Sequence, residues 1–148
     1  MRIYNLFEEV SEQEYPLDGF LNWQGIRIEI ENKAGEIRRG VSGNFTPWET
    51  TMIDHYGRIP ATEGNDGDCL DVYVKAERPR TNKVFRITQV NPENGKFDEN
   101  KYLCGFNDEN EAKDHYLKHY DRSDYFGGIK ELNLDEFKKM IKKNRNSL

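Results

Sequence analysis

Cysteine is scarce in this sequence: only Cys69 and Cys104 occur in 148 residues. Two thiols make no disulfide framework, and their spacing matches no zinc ribbon. Long apolar runs are missing too. No stretch approaches the roughly 18 consecutive apolar residues of a membrane span, so no membrane partner is expected. The opening Met1-Arg2-Ile3-Tyr4-Asn5-Leu6-Phe7-Glu8-Glu9 lacks the apolar centre of a signal peptide. A cytoplasmic protein is therefore the expectation. Basic excess is absent as well. With 22 Lys and Arg against 27 Asp and Glu, the net charge is −5. That argues against a nucleic-acid partner, which usually needs a basic face. Internal repeats and low-complexity linkers are also lacking.

Aromatic residues are present in quantity. Hydrophobic residues make up only 35% and charged ones 33%, so the core must lean on 8 Phe, 8 Tyr and 2 Trp. That composition is too aromatic for a disordered chain. The length fits a single domain, 1–148, with about two-thirds of the unfolded surface buried. A mild negative balance leaves an anionic substrate open, provided that metal ions offset the charge of its site.

Residues 1–20 read as a variable lead-in, broken by Pro16 and Gly19. In Gly25 to Glu31, Ile26, Ile28 and Ile30 alternate strictly with Arg27, Glu29 and Glu31. This is the pattern of a half-buried strand with one charged face. Lys33 to Glu36 reads as a turn, and Ile37 to Val41 as the returning arm of a hairpin. Residues 42–65, rich in Gly, Pro, Thr and Asn, read as a long irregular stretch. Further strands are expected at Leu70–Val74, Lys83–Val90 and Lys101–Phe106, with a turn at Asn91 to Gly95. Two helices should close the chain. One is capped at Asn107-Asp108 and runs to about Tyr120; the other follows a capping box at Asn133 to Glu136. Strands first and helices last imply an α+β fold, a small twisted sheet or barrel with helices packed on it.

The chemistry concentrates in Asp66-Gly67-Asp68-Cys69-Leu70-Asp71. Asp66 and Asp68 project to one side if the segment is extended, and Gly67 permits a tight bend. Asp71 opens the next strand on the face opposite Leu70, Val72 and Val74. Three carboxylates gathered this way repel one another unless cations relieve them. Mg²⁺ is held typically by one or two carboxylates, water and substrate phosphates. The plainer reading is an acidic surface turn ahead of a strand. Against it stand the cluster's position, between a Gly/Pro-rich stretch and a clean strand, and the nearby Tyr56, Arg58 and Lys101. A calcium loop counted from Asp66 fails, because Leu70 and Asp71 occupy its fifth and sixth positions.

Tyr56-Gly57-Arg58-Ile59-Pro60 followed by Asp66 to Val74 resembles the signature of the soluble (family I) inorganic pyrophosphatases. More closely, it resembles the short pyrophosphatase-like domain of phage and mobile-element proteins. Gln89 to Pro92, Asn94 to Lys101, Gly105-Phe106 and Phe126 to Ile129 are similar to that domain as well. The resemblance covers about residues 25–143. It implies a five-stranded OB-like β-barrel with two C-terminal helices packed on it, holding two or more Mg²⁺ ions, and hydrolysis of inorganic pyrophosphate to two phosphates by a metal-activated water. Carried over residue by residue, Asp66 and Asp71 would be metal ligands. Asp68 would hold metal and accept the proton of the attacking water, with Tyr56 beside the metals. Asp98 or Glu99 would add a ligand, and Lys101 would bind phosphate. Arg27 and Glu29 match a lysine–glutamate pair of the family, and Tyr120 matches a phosphate-binding tyrosine. An early substrate-binding arginine falls at Arg38 or Arg39. The sequence departs from the pattern at Asp121, where a lysine is usual, with Arg122 next to it. It departs again at Asn91 and Cys69.

Two other functions stay open at this point: hydrolysis of a nucleotide or other phosphoanhydride on the same site, and a non-catalytic phosphate- or nucleotide-binding domain of phage or mobile-element origin. A homo-oligomer is open as well. His115 and His119 have the i, i+4 spacing of metal ligands but lack the glutamate of a zinc protease motif, so structural histidines are expected. Cys104 and Cys69 read as packing residues, Trp23 and Trp48 as core or interface aromatics, and the C-terminal lysines as a solvated helix face.

Overall fold

A computed structural model describes residues 19–60 and 69–146. Its order is β1 (Phe20–Trp23), β2 (Ile26–Asn32), β3 (Ile37–Val41), β4 (Pro47–Thr51), β5 (His55–Ile59), β6 (Leu70–Val74), β7 (Lys83–Val90), β8 (Phe97–Cys104), α1 (Glu109–Leu117), β9 (Phe126–Asn133) and α2 (Leu134–Asn146). The chain is α+β, the expected class. Seven strands form one sheet in the order β1-β2-β5-β6-β8-β7-β9, and β3 pairs with β4 in a separate hairpin. All the ladders of the large sheet are antiparallel except β6–β8, which is parallel.

Local chemistry accounts for most of these elements. The alternation in β2 buries Ile26, Ile28 and Ile30. Gln24 and Gly25, at φ 51° and 90°, make the two-residue turn between β1 and β2, the positive-φ geometry that suits a tight hairpin. Asp108 caps α1 by accepting from the Glu111 amide at 2.8 Å. Asn133 and Glu136 form a reciprocal cap on α2. The Asp135 amide donates to Asn133 at 2.8 Å, and the Asn133 amide donates to Glu136 at 3.0 Å.

Because side chains alternate across a strand, the sheet has two distinct faces. One carries Ile28, Ile30, Ile59, Leu70, Val72, Val74, Val84 and Cys104 and is covered by Phe137 and Ile141 of α2. The other carries Tyr56, Tyr73, Phe85, Ile87 and Leu103 and is covered by Ala112 and Tyr116 of α1. Among the described residues, no helix is long and apolar enough to cross a membrane.

Four expectations need correction. The sheet has seven strands rather than five, and no ladder joins β1 to β9 among the described residues, so it is not the closed barrel expected. Strand β3 does not return along β2. The edge of β2 is taken by β5, with Glu29 opposite Arg58, so β3 turns away and pairs with β4. The stretch 42–65 is not irregular throughout, since it contains β4 and β5. The two helices are not consecutive. Strand β9 lies between them and pairs along β7 from Lys83↔Asn133 to Gln89↔Phe126. Its Gly127 and Gly128 hide the strand pattern from a sequence reading. Most of the lead-in, residues 1–18, lies outside the described residues; its last residue, Phe20, opens β1.

Candidate active site

Register places four charged residues side by side on the α1 face of the sheet. Glu29 of β2 stands opposite Arg58 of β5, Arg58 opposite Asp71 of β6, and Asp71 opposite Lys101 of β8. The signs alternate along this row. The parallel β6–β8 ladder makes its last step, uniting an acid and a lysine 30 positions apart in sequence. Gly57 permits the close approach of β5 to β2, because a Cβ there would lie 1.9 Å from the Glu29 carbonyl oxygen.

Lys101 is the centre of the arrangement. It is only 6% exposed. Its Nζ donates to the Tyr56 hydroxyl at 2.8 Å and to Asp71 Oδ2 at 3.3 Å, and it lies 2.5 Å from Glu99 Oε1. Burial by itself would lower the Lys101 pKa. The phenols of Tyr56 and Tyr120 and the carboxylates of Asp71 and Glu99 outweigh it and hold the ammonium well above its ordinary value. Burial pushes the Tyr56 phenol up, against the Lys101 charge, which pulls it down. Glu99 is also raised. Burial is the main cause, Lys101 opposes it, and the nearby Asp71 carboxyl adds to it through a hydrogen bond and its charge. Two acids so close need a shared proton or a cation between them.

The remaining expected site residues fall in several places. Asp66 and Asp68 lie outside the described residues. Asp98 is the extra residue of a bulge, where the register steps from Gln89↔Glu99 to Val90↔Phe97. Its carboxylate accepts from Gln89 Nε2 at 3.2 Å, and Gln89 in turn accepts from the Tyr116 hydroxyl at 2.8 Å. Glu29 accepts from Arg58 at 3.2 Å. The Arg27 guanidinium sits 3.9 Å from the centroid of the Phe20 ring, on the exposed end of the sheet. The Tyr120 hydroxyl is 2.9 Å from that of Tyr73. Arg122 is engaged twice by Asp124, at 2.6 Å each, and lies 3.7 Å from Glu93.

Of the two early arginines, Arg38 is the one that faces the cluster, with its guanidinium 4.6 Å from the Tyr56 ring centroid. Arg39 points to the other side of the hairpin and pairs with Glu49 at 3.2 Å. Tyr73 was not singled out from the sequence. The signal was present, since Tyr73 and Asp71 share the face opposite Leu70, Val72 and Val74. Cys104 is fully buried, where desolvation drives its thiol pKa up, and Cys69 is partly buried and free. His115 binds the buried Asp54 carboxylate at 3.0 Å, and His119 accepts from the Ile53 amide at 3.2 Å. Both histidines are structural, as expected.

The fold and this face define an α+β protein with a lysine-centred group of acids and phenols on one face of the sheet, chemistry suited to polyanions and hard cations. The family model described as Inorganic Pyrophosphatase matches residues 8–142, and the chain belongs to that family. It is accordingly an enzyme, an inorganic diphosphatase. No curated protein matches it. Among solved structures, an inorganic pyrophosphatase from Neisseria gonorrhoeae is 20% identical, with a TM-score of 0.48, covering 90% of this chain and 94% of that one. Another, from Coxiella burnetii, is 17% identical, with a TM-score of 0.42, covering 81% and 91%.

Proposed function

We propose that the chain hydrolyses inorganic pyrophosphate to two phosphates with Mg²⁺, on the sheet face centred on Lys101. The contact of Asp71, Glu99 and Tyr56 with one buried ammonium carries this reading. The donor set fits magnesium. It offers hard carboxylate oxygens, with those of Asp71 and Glu99 gathered at one ammonium. Asp66, Asp68 and Asp71, with Asp98 or Glu99, would hold it. Bound magnesium supplies charge neutralisation and a water of lowered pKa.

The chain's own groups do the rest. Asp68 accepts the proton of the attacking water. Lys101 has three N–H donors; it donates to Tyr56 and Asp71 and forms an ion pair with Glu99. Its ammonium would bind a phosphate oxygen. Tyr56 holds its position. Arg38, above the Tyr56 ring, takes the role of the early arginine in place of Arg39, which is occupied by Glu49. Tyr120 binds phosphate from its place beside Tyr73. Arg27 and Glu29 flank the row. Arg122 would reach phosphate with the N–H donors that Asp124 leaves free. Phosphoryl transfer asks mainly for such positioning and charge stabilisation.

Colorimetric phosphate release from pyrophosphate and Mg²⁺ tests this. The parent should turn over many times and Asp68→Asn should lose about 100-fold or more. A parent that releases no phosphate would sink the proposal.

A further inference from the structure

Next to the Lys101 cluster lies a cavity of about 670 Å³ between the inner face of the β3–β4 hairpin and the connection from α1 to β9. That is the size of a site for an organic ligand of moderate mass, within the roughly 300–1,000 Å³ typical of such pockets. Its inner end is cationic and phenolic, formed by Arg38, Tyr73 and Tyr120. Arg38 joins the two regions. Its guanidinium lies 4.6 Å from the Tyr56 ring and 5.6 Å from the Trp48 ring.

The outer end is not built for more phosphate. Asp121 lines it, and Arg122 is paired with Asp124 at 2.6 Å. What it does offer is an aromatic wall. Trp48 stands opposite Gly40 in the hairpin. Its indole lies flat across that glycine, where a Cβ would be 2.3 Å from Cζ2. Trp48 as a whole is still 39% exposed. Tyr125 and the polar side chains of Ser42 and Asn44 line the same space. A flat aromatic surface, polar hydrogen-bonding groups and an arginine already paired with an acid suit an uncharged heteroaromatic ring with N–H donors at its edge.

We infer that this cavity binds the base of a nucleoside di- or triphosphate, stacked on Trp48, with the phosphoanhydride delivered past Arg38 to the Lys101 cluster. The inference rests on the hydrolase reading above and extends its substrate class. For a nucleoside diphosphate, the oxygen of water bonds to the terminal phosphorus and the bridging P–O bond breaks. The electron pair of that bond stays on the nucleoside monophosphate, and the products are the monophosphate, phosphate and one released proton.

The test compares kcat/KM for pyrophosphate, ADP and GDP with Mg²⁺, in the parent, Trp48→Ala and Trp48→Phe. The parent should hydrolyse the nucleotides. Trp48→Ala should lower the nucleotide-to-pyrophosphate ratio about tenfold or more, the scale of one lost stacking contact. Trp48→Phe, which keeps a ring, should restore most of it. Turnover of pyrophosphate with no hydrolysis of either nucleotide overturns this inference and leaves the hydrolase reading standing. An equal fall of both activities in Trp48→Ala also overturns it. No turnover of any of the three overturns both.

Discussion

Lys101 shows how much one side chain depends on its neighbours. A buried ammonium is costly unless acceptors surround it, and here Tyr56, Asp71 and Glu99 do so. Tyr56→Phe removes one acceptor and leaves a donor of Lys101 unmatched. The expected loss of stability is about 1–3 kcal/mol, visible as a lower urea midpoint with an unchanged slope. His119 makes a second residue-scale case. Burial, its main cause, lowers the His119 pKa from 6.5 to about 4. The unfolded chain therefore takes up a proton first as the pH falls. Stability from the neutral ring is complete above pH 6.5 and is lost as the pH drops toward 4. His119→Gln can still accept from the Ile53 amide but does not titrate. Its melting temperature should fall less steeply than that of the parent between pH 6.5 and 4. Equal slopes would contradict this origin.

At the scale of elements, the approach of β2 and β5 sets the row of charges. Gly57 makes that approach possible, since an added Cβ would meet the Glu29 carbonyl at 1.9 Å. Gly57→Ala should cost about 3 kcal/mol or more, the upper range for overpacking, and should lower activity by displacing Tyr56 and Arg58 on either side. Gly43→Ala, where a Cβ meets nothing within 4 Å, should leave both unchanged. Asp108→Ala removes the α1 cap and should cost about 1 kcal/mol by thermal or chemical unfolding. The legibility of the elements followed their local chemistry. Strand β2, strand β6 and both helix starts were readable because alternation and caps are local signals. The β3–β4 pairing and the place of β9 were not, because which edge a strand joins depends on competitors distant in sequence. Trp48 was read as a core or interface aromatic, and its flat seat on Gly40 emerges only from their cross-strand pairing.

Over the whole molecule, the sheet brings residues from β2, β5, β6 and β8 into one line that no single segment contains. The sequence reading drew Tyr56, Asp71, Glu99 and Lys101 into one candidate site through a resemblance. The physical reason they meet is a parallel ladder between strands separated by a long excursion. The same ladder leaves the other side of the sheet apolar under α2. The central claim is that the Lys101 face hydrolyses pyrophosphate. Its most direct test is phosphate release from pyrophosphate and Mg²⁺ by the parent and by Asp71→Asn, with far-ultraviolet circular dichroism recorded on both. The account predicts multiple turnovers by the parent and a loss of about 100-fold or more in a variant that remains folded. A folded Asp71→Asn that matches the parent would contradict it.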